Sequence, residues 1–433
     1  MFDWLLILIG YLPFQIALNP GFGFDLASSR VFIILLFTAW LIRSLIKKTF
    51  KNYLNNFQSI GLVLFLILAG ISTLGAENTI WGLRKVFFFL SIFPIFFLTI
   101  SLVNHWLKVK KILLIWAGSS FLVILVGLSQ FLAQFVFDLG RVYSFWAVNI
   151  TPVFSGFNLG HLILSFSSWL IAVDGKNILR AFSVFSDPHM FAFYLGMTMP
   201  FILILVTILK KWLPAFCILY GLAFFSLLVT FTRGAYLGII ITSLVLSGLF
   251  WRYLNLKKTA LLICLPLLVF IIPSTPFSDR FYSSFDLSDG SNVGRLEMWQ
   301  GASQMSLDNL WQGVGLGNYS LTFDENIDYR NPMTAHNLYL DILSEIGVFA
   351  LIVWLILIFG TILELFQRLR KEKSYTSEQK TILVGLIGSL IYFSVHSIFE
   401  SAVYNPVILS LLLIILGLSV VTSKKKYLNS YEA

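Results

Sequence analysis

Twelve runs of apolar residues, each about long enough to cross a 30 Å hydrocarbon core as a helix, constrain this chain more than any other feature. They fall at 4–20, 29–46, 59–76, 85–103, 112–136, 190–209, 213–231, 234–251, 259–273, 338–366, 381–400 and 406–422. Backbone amides in lipid must be satisfied within the segment, so runs this long and continuous read as helices. A barrel would need short alternating strands instead. Composition agrees: 12% of the residues are charged, against about 25% in soluble domains. The expected fold is an all-α polytopic membrane protein, one integral membrane domain over 1–433. The first run contains Pro13, lacks a basic flank and is followed by more runs, so it is expected to stay as a span. Cys217 and Cys264 lie inside apolar runs, which argues against a disulfide framework or a metal site.

The net charge of +9 invites a nucleic-acid partner, but the positions of the charges argue against one. Basic residues cluster in short loops at 43–51, 108–111, 210–211, 252–258 and 368–380, and after the last run at 424–426. Together these hold 20 of the 30 basic residues. The positive-inside rule makes those loops cytoplasmic, with both termini inside. Counting the apolar stretch 157–173 as a span would invert every later loop. It is therefore expected to be re-entrant or interfacial, within an outer segment 137–189. A second long outer segment, 274–337, separates spans nine and ten. Arg30, Arg84, Lys85, Arg141, Lys176, Arg180, Arg233, Arg280, Arg295 and Arg330 remain for the outer side.

Several of these outer residues have the chemistry of a site. Arg233, in Thr232-Arg233-Gly234, sits between two runs with almost no loop. An arginine at that boundary requires an anion, and its fork suits phosphate; snorkelling to ordinary lipid phosphates is the competing explanation. Arg295 opens an amphipathic stretch, and a solvated ion pair is the alternative for it. Gly313-Val314-Gly315-Leu316-Gly317 has phosphate-loop spacing but no preceding strand, so it reads as a flexible turn. His336-Asn337 precedes the run 338–366. Helix-end amides there should lower a histidine pKa and leave a neutral base, unless His336 is an interfacial cap. His161, His189 and His396 have weaker contexts. The aromatics of 274–337, among them Trp299, Trp311, Tyr319 and Tyr329, suit sugar stacking or equally a small loop core.

Four segments resemble the O-antigen ligase and O-antigen polymerase superfamily of lipid-linked glycan transferases. Arg180-Ala181-Phe182-Ser183-Val184-Phe185-Ser186-Asp187-Pro188-His189 is similar to its Arg-x-x-Gly-x-Phe-x-x-Pro-Asn pattern. Phe231-Thr232-Arg233-Gly234-Ala235 resembles its Ser/Thr-Arg-Gly segment. Arg295-x-x-x-Trp299 with the glycines at 313–317 resembles its outer-loop helix. His336-Asn337-x9-Gly347 resembles the ligase motif. Ser183 stands where glycine is usual, His189 where asparagine is usual, and Ala350 replaces the motif's last residue.

The resemblance implies a GT-C-like membrane glycosyltransferase of an inner, cytoplasmic membrane. It would move a glycan from undecaprenyl diphosphate to an acceptor hydroxyl at the outer face, inverting the anomeric carbon without a metal or other cofactor. His336 would be the base. Arg233 and Arg295 would act in catalysis and, with Arg180, hold the donor diphosphate; Asn337 and Gly347 would support them. The acceptor would be a glycan or a lipid. A transporter or flippase of a lipid-linked sugar is the rival from another class, but it should show internal repeats and a polar pathway, and neither is evident.

Overall fold

The computed structural model describes residues 1–19, 25–49, 53–157, 167–173, 175–323, 327, 333–371 and 375–422. Among them the chain forms eighteen α-helices and two small hairpins. The helices are α1 (Phe2–Tyr11), α2 (Ser28–Ile46), α3 (Phe57–Ser72), α4 (Thr79–Ile92), α5 (Pro94–Leu102) and α6 (Trp106–Ala133). Next come α7 (Leu139–Phe145), α8 (Thr151–Ser155), α9 (Pro188–Ile208), α10 (Leu213–Leu228), α11 (Arg233–Leu254) and α12 (Lys257–Cys264). The last six are α13 (Pro276–Tyr282), α14 (Gly290–Asp308), α15 (Leu338–Ile346), α16 (Val348–Lys371), α17 (Ser377–His396) and α18 (Pro406–Val421). Strands β1 (Ala17–Leu18) and β2 (Leu26–Ala27) pair antiparallel, as do β3 (Leu170–Val173) and β4 (Lys176–Leu179).

Eight helical segments among the described residues are long and apolar enough to cross a membrane, so this is a multi-pass membrane protein. Two shorter apolar segments, Phe2–Phe14 and Pro406–Val421, accompany them. The expected run 338–366 is not one helix. Gly347 adopts φ +93°, ending α15, and α16 starts afresh at Val348. Hydropathy is continuous across that glycine and carries no record of the break in the helix. A side chain there would strike the Trp311 carbonyl, so glycine is required sterically as well. The run 259–273 becomes α12 and a 3-10 segment, Leu265–Phe270. Of 157–173, residues 158–166 lie outside the described residues, and Leu170–Val173 is a strand rather than part of a spanning helix. His161, Tyr329 and Arg330 also lie outside them.

The centre of the bundle is α9, packed against α17, with α17 also packed on α11. Of the most apolar window of α9, 89% is buried, whereas for α2 and α16 the figures are 28% and 33%. A helix apolar on all sides belongs in the middle; a one-sided one faces lipid. Small residues let the central helices approach. The Tyr392 ring of α17 occupies the space a side chain at Gly196 of α9 would fill, and Leu246 of α11 packs over Gly388. Hydroxyls then join helices across the apolar interior. Tyr392 donates to the Ala192 carbonyl at 2.8 Å and Ser389 to the Met197 carbonyl at 2.7 Å.

Candidate active site

The N-termini of α9 and α11 and the C-terminus of α17 meet at one end of the bundle. Gly234 packs against His396 and Phe399, and the His396 ring stacks on Phe193 at 3.7 Å. His396 is fully buried, and neither ring nitrogen has a hydrogen-bond partner among the described residues. It is a packing ring, out of reach of any ligand.

Arg180 follows β4, and its backbone amide donates to the Trp169 carbonyl at 2.8 Å. Its guanidinium is committed inside the protein. Nε donates to the Thr230 carbonyl at 2.7 Å, Nη1 to the Ser168 carbonyl at 2.8 Å, and Nη2 to the Thr232 hydroxyl at 3.0 Å. Burial, with Arg280 nearby, pulls its pKa down to about 9. Gln130 of α6 holds the same segment, accepting from the Phe182 amide and donating to the Arg180 carbonyl. Ser183 adopts φ +56°, the left-handed region that explains why glycine suits this motif position. The strain, on the order of 1–2 kcal/mol, is offset in part by its hydroxyl donating to the Val123 carbonyl at 2.7 Å.

Arg233, the first residue of α11, is 4% exposed. It donates to the Ser283 carbonyl at 3.0 Å and pairs with Asp289 at 3.1 Å. Arg280 of α13 donates to the Phe231 carbonyl at 3.2 Å. Burial, then Arg233 beside it, lowers its pKa to about 10. Arg295 of α14 differs: among the described residues no hydrogen bond or ion pair holds its guanidinium. Its pKa is also lowered, by burial and by Arg233, against the opposing pull of Glu400 and Asp289. Arginines that depress one another mark a place with surplus positive charge, and such a place takes an anion.

Beside them lies a carboxylate between two histidines. His336 Nδ1 is 3.0 Å from both oxygens of Glu400, and His189 Nδ1 is 3.8 Å from one. Glu400 lies just past the end of α17. Its charge raises the His336 pKa above the ordinary 6.5, overcoming burial. This corrects the expectation that helix-end amides lower it, because a carboxylate at contact distance outweighs the partial charge of a helix end. With Nδ1 directed at the carboxylate, the neutral ring carries its proton there and leaves Nε2 as the basic nitrogen.

The cap of α15 is Asn337, whose side chain accepts from the Tyr339 and Leu340 amides at 3.0 and 3.2 Å. His336, one residue earlier, has φ +47°, a strained conformation for a histidine. Asp341 holds it there. One oxygen accepts from the Ala335 amide at 2.8 Å, and the other accepts from the Ser401 hydroxyl. Ala335 precedes His336 and Ser401 follows Glu400, so one buried carboxylate sets both partners of the contact. One turn on, Glu345 pairs with Lys85 of α4 at 3.3 Å and accepts from Tyr404 at 3.0 Å. The glycine turn packs behind α15. Val314 and Gly315 donate to the Ser344 and Glu345 carbonyls at 2.8 and 3.0 Å, so these amides are spent on α15 and the turn is fixed rather than flexible. Gly347 closes α15 and lets the chain pass under Trp311.

Arg233, Arg295 and His336 thus come to one end of the bundle, with Asn337 and Gly347 closing the two ends of the helix that follows the histidine. Arg180 lies in the same electrostatic neighbourhood, but its nitrogens are used by the fold. Glu400, Asp289 and Asp341 escaped the sequence reasoning, and Arg280 was noted only for its side. The available signal was an isolated acidic residue at the end of an apolar run. Glu400 has that signature. Asp289 has none, since it sits in a polar loop among several candidates.

Comparison with known proteins points the same way. Residues 218–355 match the family model described as O-antigen ligase. Over 141 residues the chain is 30% identical to the teichuronic acid biosynthesis protein TuaE of Bacillus subtilis (strain 168). That stretch is 32% of this chain and spans 27% of the length of TuaE. Residues 218–355, which hold Arg233, Arg295, His336, Asn337 and Gly347, are thus similar to the O-antigen ligase family.

Proposed function

We propose that this protein is a membrane glycosyltransferase that moves a glycan from undecaprenyl diphosphate to an acceptor hydroxyl at the outer face of a cytoplasmic membrane. In this reading the chain is a single GT-C-like membrane domain of twelve spans with both termini inside, and 137–189 and 274–337 are its outer segments. The observation that carries the proposal is the joint presence of Arg295, unpartnered among the described residues, Arg233 beside it and a carboxylate-bound His336. Together they supply a seat for a diphosphate next to a base.

Acceptor oxygen attacks the anomeric carbon as His336 Nε2 takes its proton. The bond from that carbon to the diphosphate oxygen breaks, the configuration inverts, and undecaprenyl diphosphate leaves. Glu400 orients the imidazole and stabilises the imidazolium, the role a carboxylate plays behind a catalytic histidine elsewhere. Arg295 and Arg233 meet the growing negative charge in a partly buried site, where such contacts are strong. For Arg233 this requires the diphosphate to take the place of Asp289. Arg180 is a positioning residue that fixes 230–232, the approach to Arg233. No metal or other cofactor enters these steps.

The name of TuaE places that protein in teichuronic acid biosynthesis, and by this likeness the acceptor is a growing surface polysaccharide. The test is a donor-plus-acceptor assay on purified protein. His336→Ala and Arg233→Ala should abolish transfer while the variants remain inserted and folded. Full transfer by both would end this mechanism, and lipid-linked donor moved across vesicles with no transfer product would favour a flippase.

A further inference from the structure

At the other end of α11 from Arg233, a groove runs between α11 and α16. Arg252 follows Arg233 by nineteen residues, about 28 Å along a helix, close to the thickness of a bilayer core of about 30 Å. The groove therefore opens at the opposite membrane interface from the candidate site. Its cavity is about 440 Å³. Leu244, Gly248 and Leu249 of α11 form one wall, Phe366 of α16 the other, and Arg252 and Arg370 stand at the mouth. Tyr253 meets Phe366 edge to face, with centroids 6.1 Å apart, and joins the walls.

The charge at the mouth is uncompensated. Neither arginine pairs with a carboxylate among the described residues; Arg252 only leans on the Tyr253 ring, 5.9 Å from its centroid. Arg368, on the same helix as Arg370, is by contrast satisfied by Glu364 and the Ser419 carbonyl. Two exposed cations over an apolar slot require a ligand that is anionic at one end and hydrocarbon at the other. Bidentate arginines favour phosphate at the anionic end. We propose that this groove binds an anionic phospholipid of that leaflet, its phosphate held by Arg252 and Arg370 and an acyl chain laid along Gly248. The slot is open there: a Cβ at Gly248 would meet nothing within 4 Å.

Retention of lipid is read by native mass spectrometry of the full chain in detergent, titrated with phosphatidylglycerol, phosphatidylcholine or inorganic phosphate. Each interfacial arginine contributes about fivefold in affinity, so Arg252→Gln/Arg370→Gln should hold phosphatidylglycerol about thirtyfold more weakly than the unaltered protein. Gly248→Leu fills the slot, keeps both arginines and favours the helix. It should weaken phosphatidylglycerol while the protein's lipid-free melting temperature holds or rises. Phosphatidylglycerol held equally by both variants overturns the site. Phosphatidylcholine held as well as phosphatidylglycerol overturns the charge selectivity. Millimolar phosphate displacing the lipid, with no effect of Gly248→Leu, would show a free-phosphate site instead.

Discussion

Two helices in this protein begin in the same way and present their histidines differently. At α9, Asp187 caps the helix by accepting from the His189 and Met190 amides; at α15, Asn337 accepts from the Tyr339 and Leu340 amides. Each cap has a histidine beside it, and both histidines turn to Glu400. His189 lies two residues after its cap, inside the first turn, and its side chain is 19% exposed. His336 lies one residue before its cap, in a left-handed conformation, and is 39% exposed. Position relative to the cap decides which ring is the more exposed and which is the more enclosed. The same contrast separates the arginines: Arg180 spends every nitrogen on the fold, whereas Arg295 spends none on the described residues.

Breaking the exposed side of each pair should cost most. His336→Ala is expected to lower kcat by about 10³-fold, within the range for a lost general base, in the donor-plus-acceptor assay. Arg295→Ala should lower it by about 10²-fold, in line with loss of one charge-stabilising donor, with little change in melting temperature because no hydrogen bond or ion pair holds it among the described residues. A large loss of stability would instead place Arg295 among the structural arginines.

Glu400→Gln sharpens the comparison through pH. Glu400 raises the His336 pKa, so in the unaltered protein the base becomes available, and kcat/KM rises, only as pH passes the raised value. Without the carboxylate that limb should move toward lower pH, while the plateau falls. Stability follows the opposite course. The pair's contribution is fully present below the unfolded histidine pKa of about 6.5 and is lost as pH rises through the raised folded value. The melting-temperature gap between the two proteins should accordingly be widest in acid and narrow on the alkaline side. A smaller effect is expected of His189→Asn, the residue usual at that motif position: kcat within about threefold, since the general-base contribution stays with His336. A loss comparable to that of His336→Ala would make the two histidines equal partners.

Much of the helical layout was legible because its cause is local. Apolar runs must be helices in lipid, and α2, α3, α6, α9, α10 and α11 fall where hydropathy puts them. The motif glycine and serine were legible as positions, and the backbone then supplied the reason: Gly347 and Ser183 both adopt positive φ. What was not legible depended on contacts far apart in the chain. Arg180 meets the Thr230 carbonyl and the Thr232 hydroxyl, fifty and fifty-two residues later, so its neighbours in sequence do not announce that it is occupied. Glu400 is sixty-four residues from His336, and its charge reverses the shift expected from the helix end alone. Arg233 and Asp289 meet only because the polar loop folds back over α11.

The break at Gly347 also separates α15 from the mechanics of α16. Because α16 is largely lipid-facing, a thicker or thinner bilayer acts on it first, by changing its tilt. The neighbouring α15 is anchored elsewhere, through Asp341 to Ser401 and through Glu345 to Lys85. A tilt of α16 can be taken up at the glycine without turning α15, whose capped end adjoins His336. Transfer rates in vesicles of differing acyl length should thus stay nearly level, while a rigid residue at 347 would make them depend on bilayer thickness.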